Sequence, residues 1–254
     1  MEITTSYNIT SWYKSFSPGN PQEYWPMDYP PTISYFTYFW GKVFEILLPE
    51  SIIPIKSWGY ESVYQKLLMR LTVLISDIVI FHIPLYFVLS TIYKETINKS
   101  NNSSIYSKLK YNIVLLLVLI CPVLNLIDHG HFQYNCVMFG LYLWAVYFCY
   151  IDYTSLAIFF IALSINFKQM ALYYALPFAF YVIGKLFQKT TNYNFCKRII
   201  VISFYTLVYG AITILSIFII WSPWILSHTH DDVLKRIFPI WRGIFEDKVK
   251  HNNI

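Results

Sequence analysis

Charged residues are scarce in this chain. Asp, Glu, Lys and Arg make up 13% of its 254 residues, whereas 56% are hydrophobic and 20% are aromatic. A soluble domain of this length carries about a quarter charged residues. The shortage of charge, together with a mean hydropathy of +0.45, excludes an ordinary soluble domain and predicts a polytopic membrane protein.

Cysteine is also rare, and its positions show no paired spacing. The four cysteines are Cys121, Cys136, Cys149 and Cys196. Most of them lie inside apolar segments, where a thiol packs as a small hydrophobic side chain, so we predict neither disulfides nor a metal site. The net charge is +5, but Lys and Arg are scattered among acidic residues without a basic face. This pattern argues against a nucleic-acid partner.

Several apolar runs approach the length of roughly 20 residues that crosses a bilayer as a helix. They cover 71–92, 111–127, 134–150, 154–167, 170–187 and 199–222. We therefore predict an all-α integral membrane protein, a polytopic bundle of about six spans. Three regions follow from this prediction. They are a lumenal loop region with interfacial helices at 1–70, the transmembrane bundle at 71–222, and a lumenal segment at 223–254.

Lysine and arginine predict the orientation of the bundle, because cytosolic loops carry more of them than loops on the other side. The loops at 93–110 and 185–198 are both basic and fall on one side of a six-span bundle, which we expect to be cytosolic. The N-terminal region, DHGHFQ, FKQ and the chain after Pro223 then fall on the lumenal side. Asn8, in NIT, is a glycosylation sequon on that side. Further sequons on the cytosolic side start at Asn98, Asn101 and Asn102.

The stretch LIDHGHFQYN places five polar side chains between two apolar runs. His129 and His131 are two residues apart and would lie on different faces of a helix, which is poor geometry for a helical zinc site. Gly130 favours a loop instead. An ordinary polar turn would explain the stretch, but ionisable groups at a membrane rim are costly, and we favour binding of an anionic or sugar ligand. The residues that would bind it are Asp128, His129, His131 and Gln133.

Other polar residues also allow a functional and a structural interpretation. Asp28, in MDYPP, could bind or deprotonate a sugar hydroxyl, or it could be an N-cap or turn residue before a helix that begins at Thr32. Lys168, in NFKQM, could bind phosphate or extend to the membrane surface. Arg242, in RIFPIWRGIFEDKVK, could pair with phosphate, although an amphipathic surface helix explains the same pattern. Asp77 lies inside the first predicted span, and we expect it to face the bundle.

Several motifs occur here in an order that is typical of one enzyme family. They are WPMDYPP, GYES, LLMRLTVLISD, DHGHFQYN, NFKQMALYYA and RIFPIWRGIFEDKV. In these motifs, which cover most of residues 1–250, the chain resembles the endoplasmic reticulum α-1,3-glucosyltransferases of asparagine-linked glycosylation. NFKQMALYYA, RG-x-FEDKV and the tryptophan before DYPP are more similar to the members that add the first glucose than to the sister members that add the second.

The resemblance implies a type C glycosyltransferase fold in the endoplasmic reticulum membrane, with several spans and a lumenal active face. The donor would be dolichyl-phosphate glucose, and the acceptor a dolichyl-pyrophosphate mannose-nine oligosaccharide. The transfer would invert the donor linkage to an α-1,3 bond and would need no cofactor. A general base must take the proton of the acceptor hydroxyl, and cationic groups should stabilise the departing phosphate. Membrane lipid is a further expected partner.

The resemblance also bears on the site residues. Asp28 would be the catalytic carboxylate in this chain, while the main base is expected in a Gly-Asp-(Phe/Tyr)-Glu stretch upstream of Met1. The expected substrate-binding residues are Tyr29, Asp128, His129, His131, Gln133, Lys168, Gln169, Arg242, Glu246 and Asp247. The family pattern differs at Trp58, where an Arg is expected, and continues past KHNNI. We therefore expect a chain shortened at both ends, and a catalytically inactive binding remnant is the alternative to an active enzyme.

Overall fold

The computed structural model describes residues 1–14, 27–100 and 105–238, and these residues form helices and turns without a strand. The all-α prediction is thus confirmed for this part of the chain. The chain divides into two compact units, which are described separately below. The first unit comprises 1–60 with 217–254, and the second comprises 61–216. The predicted boundaries at 70 and 223 concern membrane topology and stay predictions.

Helices follow one another along the whole described sequence. They are α1 Glu2–Ser6, α2 Pro31–Leu47, α3 Val63–Ser76, α4 Ile83–Ser100, α5 Ile105–Leu119, α6 Pro122–Leu124, α7 Asn135–Tyr150, α8 Thr154–Ile165, α9 Leu172–Lys189, α10 Phe195–Leu226 and α11 His230–Ile237. Short 3₁₀ turns lie at Ile9–Ser11, Pro49–Ile52 and Gln169–Ala171. Two π-helical segments, Asp77–His82 and Asn125–Gly130, continue directly from α3 and α6.

Among the described residues, three helical stretches are long and apolar enough to cross a membrane, namely Val63–Asn98, Gln169–Lys189 and Phe195–Leu226. α7 and α8 are apolar but shorter. The chain is therefore a helical membrane protein. The first of these stretches has 36 residues and extends beyond the predicted span 71–92 at both ends. Its ends are polar, but Gln, Lys and Glu are good helix formers, so the helix continues where the apolar pattern stops.

The second predicted span, 111–127, is interrupted in the structure. α5 ends at Leu119, and Cys121 adopts a non-helical backbone conformation before Pro122. The residue before a proline avoids the helical region because the proline ring clashes with it. The chain then re-enters a short helix that leads into the segment Asn125–Gly130. The proline thus separates the apolar helix from the polar stretch that follows.

α7 and α8 are consecutive antiparallel helices joined by a turn at Asp152, which has a φ of 70°. Ala145 and Ala157 are fully buried in the shared core of these helices. The Ser164 hydroxyl of α8 donates to the Met138 carbonyl of α7 over 3.0 Å. Small side chains at a contact allow helix backbones to approach closely in a membrane, which explains the tight pairing.

Gly140 brings α7 against the π-helical segment after α3. A Cβ at this position would lie 2.1 Å from the Ile80 carbonyl oxygen and 2.9 Å from Phe81 Cα. No side chain fits without moving the backbone. The close approach also brings the polar groups of Asp77 and Cys136, at the start of α7, within 4.8 Å of each other. This glycine therefore determines how the polar residues of the second unit meet.

The first unit has an aromatic core. The Tyr13 and Trp224 rings meet edge to face at a centroid distance of 5.5 Å, and Trp12 lies 6.0 Å from Trp224. The Tyr35 hydroxyl donates to the Ile220 carbonyl over 2.9 Å. These contacts fix α2 and the segment before it to the end of α10. They provide the support for Asp28 and Tyr29.

Candidate functional site

The polar stretch before α7 is a widened helical turn followed by a short irregular connection. Residues up to Gly130 are π-helical, so the predicted loop at this glycine is wrong. Phe132 then takes a positive φ of 56°, and the Gln133 amide donates to the Asp128 carbonyl over 3.2 Å. π-helical turns are rare and frequent at functional sites. The turn here points two consecutive polar side chains, Asp128 and His129, in different directions.

Asp128 points inward and is fully buried. Its Oδ2 accepts from the backbone amide of Cys136 at 2.6 Å, and its Oδ1 accepts from the Asn135 side-chain amide at 2.7 Å. The first amides of a helix have no intrahelical partner, and a carboxylate there is favoured by the helix dipole. In this geometry Asp128 caps the N-terminus of α7 and holds Asn135 in position.

Asn135 connects this carboxylate to Lys168. The Lys168 ammonium donates to Asn135 Oδ1 at 2.7 Å and lies 3.5 Å from Gln133 Oε1. Lys168 is 6% exposed, and burial lowers the pKa of its ammonium, while the charge of Asp128 opposes this shift. The turn between α8 and α9 is thereby joined to the start of α7. Three predicted site residues, Asp128, Gln133 and Lys168, thus belong to one hydrogen-bonded network.

His129 points to the opposite side of the turn and contacts Asp77. The imidazole Nε2 lies 2.6 Å from Asp77 Oδ2, which makes a salt bridge when the ring is protonated. The Asp77 side chain is buried, whereas the His129 side chain is 30% exposed. The prediction that Asp77 faces the bundle is confirmed by this burial. Asp77 holds one nitrogen of the ring while part of the ring stays open to the surface.

The rim beside this network carries further cationic groups. His131 is exposed, and the Arg70 guanidinium lies over the Phe132 ring at 5.9 Å from its centroid. Arg70 is itself exposed, in the middle of α3. Gln169 is half-buried as the first residue of its 3₁₀ turn. The arrangement combines buried carboxylates with cations nearer the surface, which suits an anionic ligand at the rim.

Metal-ligating atoms of Asp77, Asp128 and Cys136 lie within 4.8 Å of one another. Both oxygens of Asp128 already accept hydrogen bonds from Cys136 and Asn135, and one oxygen of Asp77 contacts His129. These atoms act as a polar network that joins three helical segments. We assign no metal to them.

Asp28 and Tyr29 lie in the first unit, in the irregular segment before α2. The N-cap of α2 is Pro30, and no side chain caps this helix. Asp28 is therefore not the N-cap, while its place in the non-helical segment before α2 agrees with the alternative of a turn residue. Apolar surroundings raise the pKa of the exposed Asp28 carboxyl, although the guanidinium of Arg236 acts against this shift. The Tyr13 hydroxyl lies 2.7 Å from the Tyr29 carbonyl and donates to it. This contact fixes the backbone beside the carboxylate.

Three predicted ligands, Arg242, Glu246 and Asp247, lie outside the described residues.

Sequence reasoning missed other residues that the structure places at these sites. Asn135 and Arg70 were inside quoted motifs, but their roles depend on contacts with Lys168 and Phe132, which are distant in sequence. Arg236 is buried in α11, and its Nε donates to the Tyr13 carbonyl over 3.2 Å. In the sequence Arg236 follows Lys235 and precedes an apolar run, and its contact with Tyr13 joins residues 223 positions apart, which no local pattern indicates.

The fold and these sites define a helical membrane protein whose buried polar network and cationic rim suit an anionic ligand. The model of the ALG6, ALG8 glycosyltransferase family matches residues 1–253. The chain belongs to this family, and the resemblance stated from its motifs is confirmed.

Curated proteins that are similar in sequence to this chain are named as glucosyltransferases. The chain is 39% identical over 249 residues to a "Probable dolichyl pyrophosphate Man9GlcNAc2 alpha-1,3-glucosyltransferase" of Dictyostelium discoideum, and 34% identical to one of Caenorhabditis elegans. It is 37% identical to the "Dolichyl pyrophosphate Man9GlcNAc2 alpha-1,3-glucosyltransferase" of Gallus gallus. Each match covers 98% of this chain and 45% of the relative. The chain thus spans less than half the length of these relatives.

Proposed function

We propose that this chain acts in the transfer of glucose from dolichyl-phosphate glucose to the dolichyl-pyrophosphate mannose-nine oligosaccharide. The reaction is an inverting α-1,3 transfer in the endoplasmic reticulum membrane, with the site on the lumenal face. The names of the relatives support the acceptor and the sugar. The observation that carries the proposal is the buried Lys168–Asn135–Asp128 network with His129 at the rim.

The chemistry requires negative charge to develop on the departing phosphate. The acceptor oxygen forms a bond to the anomeric carbon, the bond from that carbon to the phosphate oxygen breaks, and a base takes the hydroxyl proton. In our proposal Lys168, His129 and His131 receive the phosphate, and Arg70 adds charge at the same rim. Fixed cations near a leaving oxyanion lower the barrier because no solvent has to reorganise.

The carboxylates take two separate roles in this proposal. Asp128 supports the site by holding Asn135 and α7, because its oxygens are already occupied. Asp28 faces the surface, and the raised pKa of its carboxyl makes it a better base than an ordinary aspartate. Among the described residues it is our candidate for contact with sugar hydroxyls, with Tyr29 beside it. Gln169, Arg242, Glu246 and Asp247 stay predicted ligands.

The proposal is tested with the purified protein in liposomes that contain dolichyl-phosphate glucose with labelled sugar. Acceptors carrying no glucose and one glucose are supplied separately. Transfer to the glucose-free acceptor supports the first-glucose reaction. Transfer only to the one-glucose acceptor assigns the chain to the sister reaction. A protein that neither transfers the label nor binds the donor contradicts the proposal.

A second candidate is a binding function without catalysis. It is favoured by the geometry of Asp128, whose two carboxylate oxygens already accept hydrogen bonds, so that this buried carboxylate is not a free base. Saturable binding of the donor without any transfer to either acceptor is the result that this candidate predicts. Donor binding and glucose transfer are both measured in the same liposomes, so one preparation separates the two functions.

The proposed topology has six spans, made by Val63–Asn98, α5, α7, α8, α9 and α10, and puts the N-terminus in the lumen. Asn8, which is exposed, should then carry a glycan when the protein is made in microsomes. An endoglycosidase should shift the wild-type band but not that of Asn8→Gln. Glycosylation that persists in Asn8→Gln and disappears when Asn98, Asn101 and Asn102 are replaced would mean the reverse orientation.

A further inference from the structure

A second polar cluster lies at the other end of α7, in the turn that leads to α8. Asp152 Oδ1 accepts from the Lys185 ammonium at 2.8 Å and from the Lys189 ammonium at 2.7 Å. Lys185 also donates to the Cys149 carbonyl. Because both ammonium groups bond to this carboxyl, its pKa falls to about 2. The turn thus carries two ammonium groups for one carboxylate.

This cluster is about one membrane thickness away from the Lys168 network. α7 has 16 residues and α9 has 18, which correspond to about 24 and 27 Å at 1.5 Å per residue. The hydrocarbon core of a bilayer is about 30 Å thick. The network lies at the N-terminal end of α7 and just before α9. The Asp152 cluster lies at the C-terminal ends of the same two helices. The two clusters therefore belong to opposite leaflets.

A cavity of about 340 Å³ opens beside the second cluster. Its polar wall includes Lys185, Lys189, Thr190 and Tyr193. A second cavity, of about 310 Å³, shares Val182 and Tyr209 with the first. Its wall is almost entirely apolar and is formed by side chains of α8, α9 and α10, including Ile158, Ile161, Phe178 and Ile183. A cationic recess thus leads into an apolar groove, as the two parts of a phospholipid require.

Charge around the recess also favours an anion. Lys197 lies over the Tyr193 ring at 4.6 Å, and Arg198 donates to the Phe187 carbonyl over 3.0 Å. Two further basic side chains thus lie close to the segment that carries Lys185 and Lys189. The sequence from 153 to 230 contains no Asp or Glu. Basic pockets between helices at a membrane surface bind anionic lipid headgroups.

We propose that this recess and groove bind one anionic phospholipid, with its phosphate at Lys185 and Lys189 and an acyl chain along α8, α9 and α10. The site is separate from the sugar-transfer site and does not depend on that proposal. Asp152 competes with the phosphate for the same two ammonium groups. The lysines therefore have two alternative partners, and the anionic lipid must displace the carboxylate from at least one of them.

The test is native mass spectrometry of the purified protein in detergent with added phosphatidylinositol or phosphatidylcholine. The wild type should retain phosphatidylinositol preferentially. Lys189→Gln, at an exposed position, should weaken this retention about fivefold, the effect of removing one lysine near an anionic surface. Lys94→Gln, also exposed, is the matched control and should leave retention unchanged.

Asp152→Asn gives a result of the opposite sign. Asparagine tolerates the positive φ at this position, and loss of the competing carboxylate should strengthen phosphatidylinositol retention. If the cluster serves only to hold the turn, this variant lowers the unfolding temperature and retention does not rise. That result, equal retention of both phospholipids by the wild type, or equal effects of Lys189→Gln and Lys94→Gln would each overturn the proposal.

Discussion

Replacing Lys168 with glutamine should weaken binding of dolichyl-phosphate glucose by a factor on the order of 10 to 100. A hydrogen bond to a charged group contributes about 1.5–3 kcal/mol, and Lys168 is the buried cation of the proposed phosphate site. The affinity is measured by titrating the purified protein with a short-chain donor. Lys56→Gln, which removes an exposed charge from the same predicted face, is the control. An unchanged affinity in Lys168→Gln would contradict the role of this lysine.

The pH dependence of donor binding tests the same residue in another way. Burial lowers the pKa of Lys168 from the ordinary value of 10.5. The charged ammonium favours the anion, so affinity should be full at neutral pH and should fall on the alkaline side before an ordinary lysine titrates. Lys168→Arg should bind with no such alkaline decrease, because arginine stays protonated.

Gly140→Ala should destabilise the second unit more than alanine at any other described glycine of that unit. The new Cβ would overlap the Ile80 carbonyl at 2.1 Å, and overpacking of this kind costs about 1–3 kcal/mol, occasionally more. The expected fall in unfolding temperature is roughly 5–10 °C. It is measured by tryptophan fluorescence during heating in detergent. Donor affinity should fall as well, because Asp77 and α7 move apart.

Gly184→Ala is the matched control for this substitution. It also places a methyl group on a helix interior position, but a Cβ there would meet nothing within 4 Å. Alanine is a better helix former than glycine by up to about 1 kcal/mol, so the unfolding temperature should stay the same or rise. Similar behaviour of the two variants would show that the crossing at Gly140 tolerates a side chain.

The helices of the second unit could be predicted well where apolar runs end at turn residues. The predicted 134–150 and 154–167 agree closely with α7 and α8, because the turn between them contains the polar Asp152. The helix that contains the first predicted span is longer than the span itself, since the span was predicted from hydropathy while helix formation also depends on backbone propensity. The break at Pro122 could have been expected, but the apolar residues on both sides concealed it.

The site could be predicted only as a set of residue types. The sequence indicated that Asp128, His129, Gln133 and Lys168 were unusual in so apolar a chain. It could not show that Asp128 binds the α7 N-terminus or that His129 contacts Asp77, because those contacts join residues 8 to 52 positions apart through packing at Gly140. The pairing of polar groups is a property of helix crossings, which a single sequence does not specify.

The π-helical segment Asp77–His82 changes which side chains lie on the same face of the helix. A π turn closes an i to i+5 ring where an α turn closes i to i+4, so it takes up one extra residue. Each residue of an α-helix turns the next side chain by about 100°. Side chains before and after this segment therefore follow two different helical registers, offset by one position. Asp77 begins this segment and Ile80, whose carbonyl meets Gly140, lies inside it, so the number of residues in this helix matters there as much as their identity.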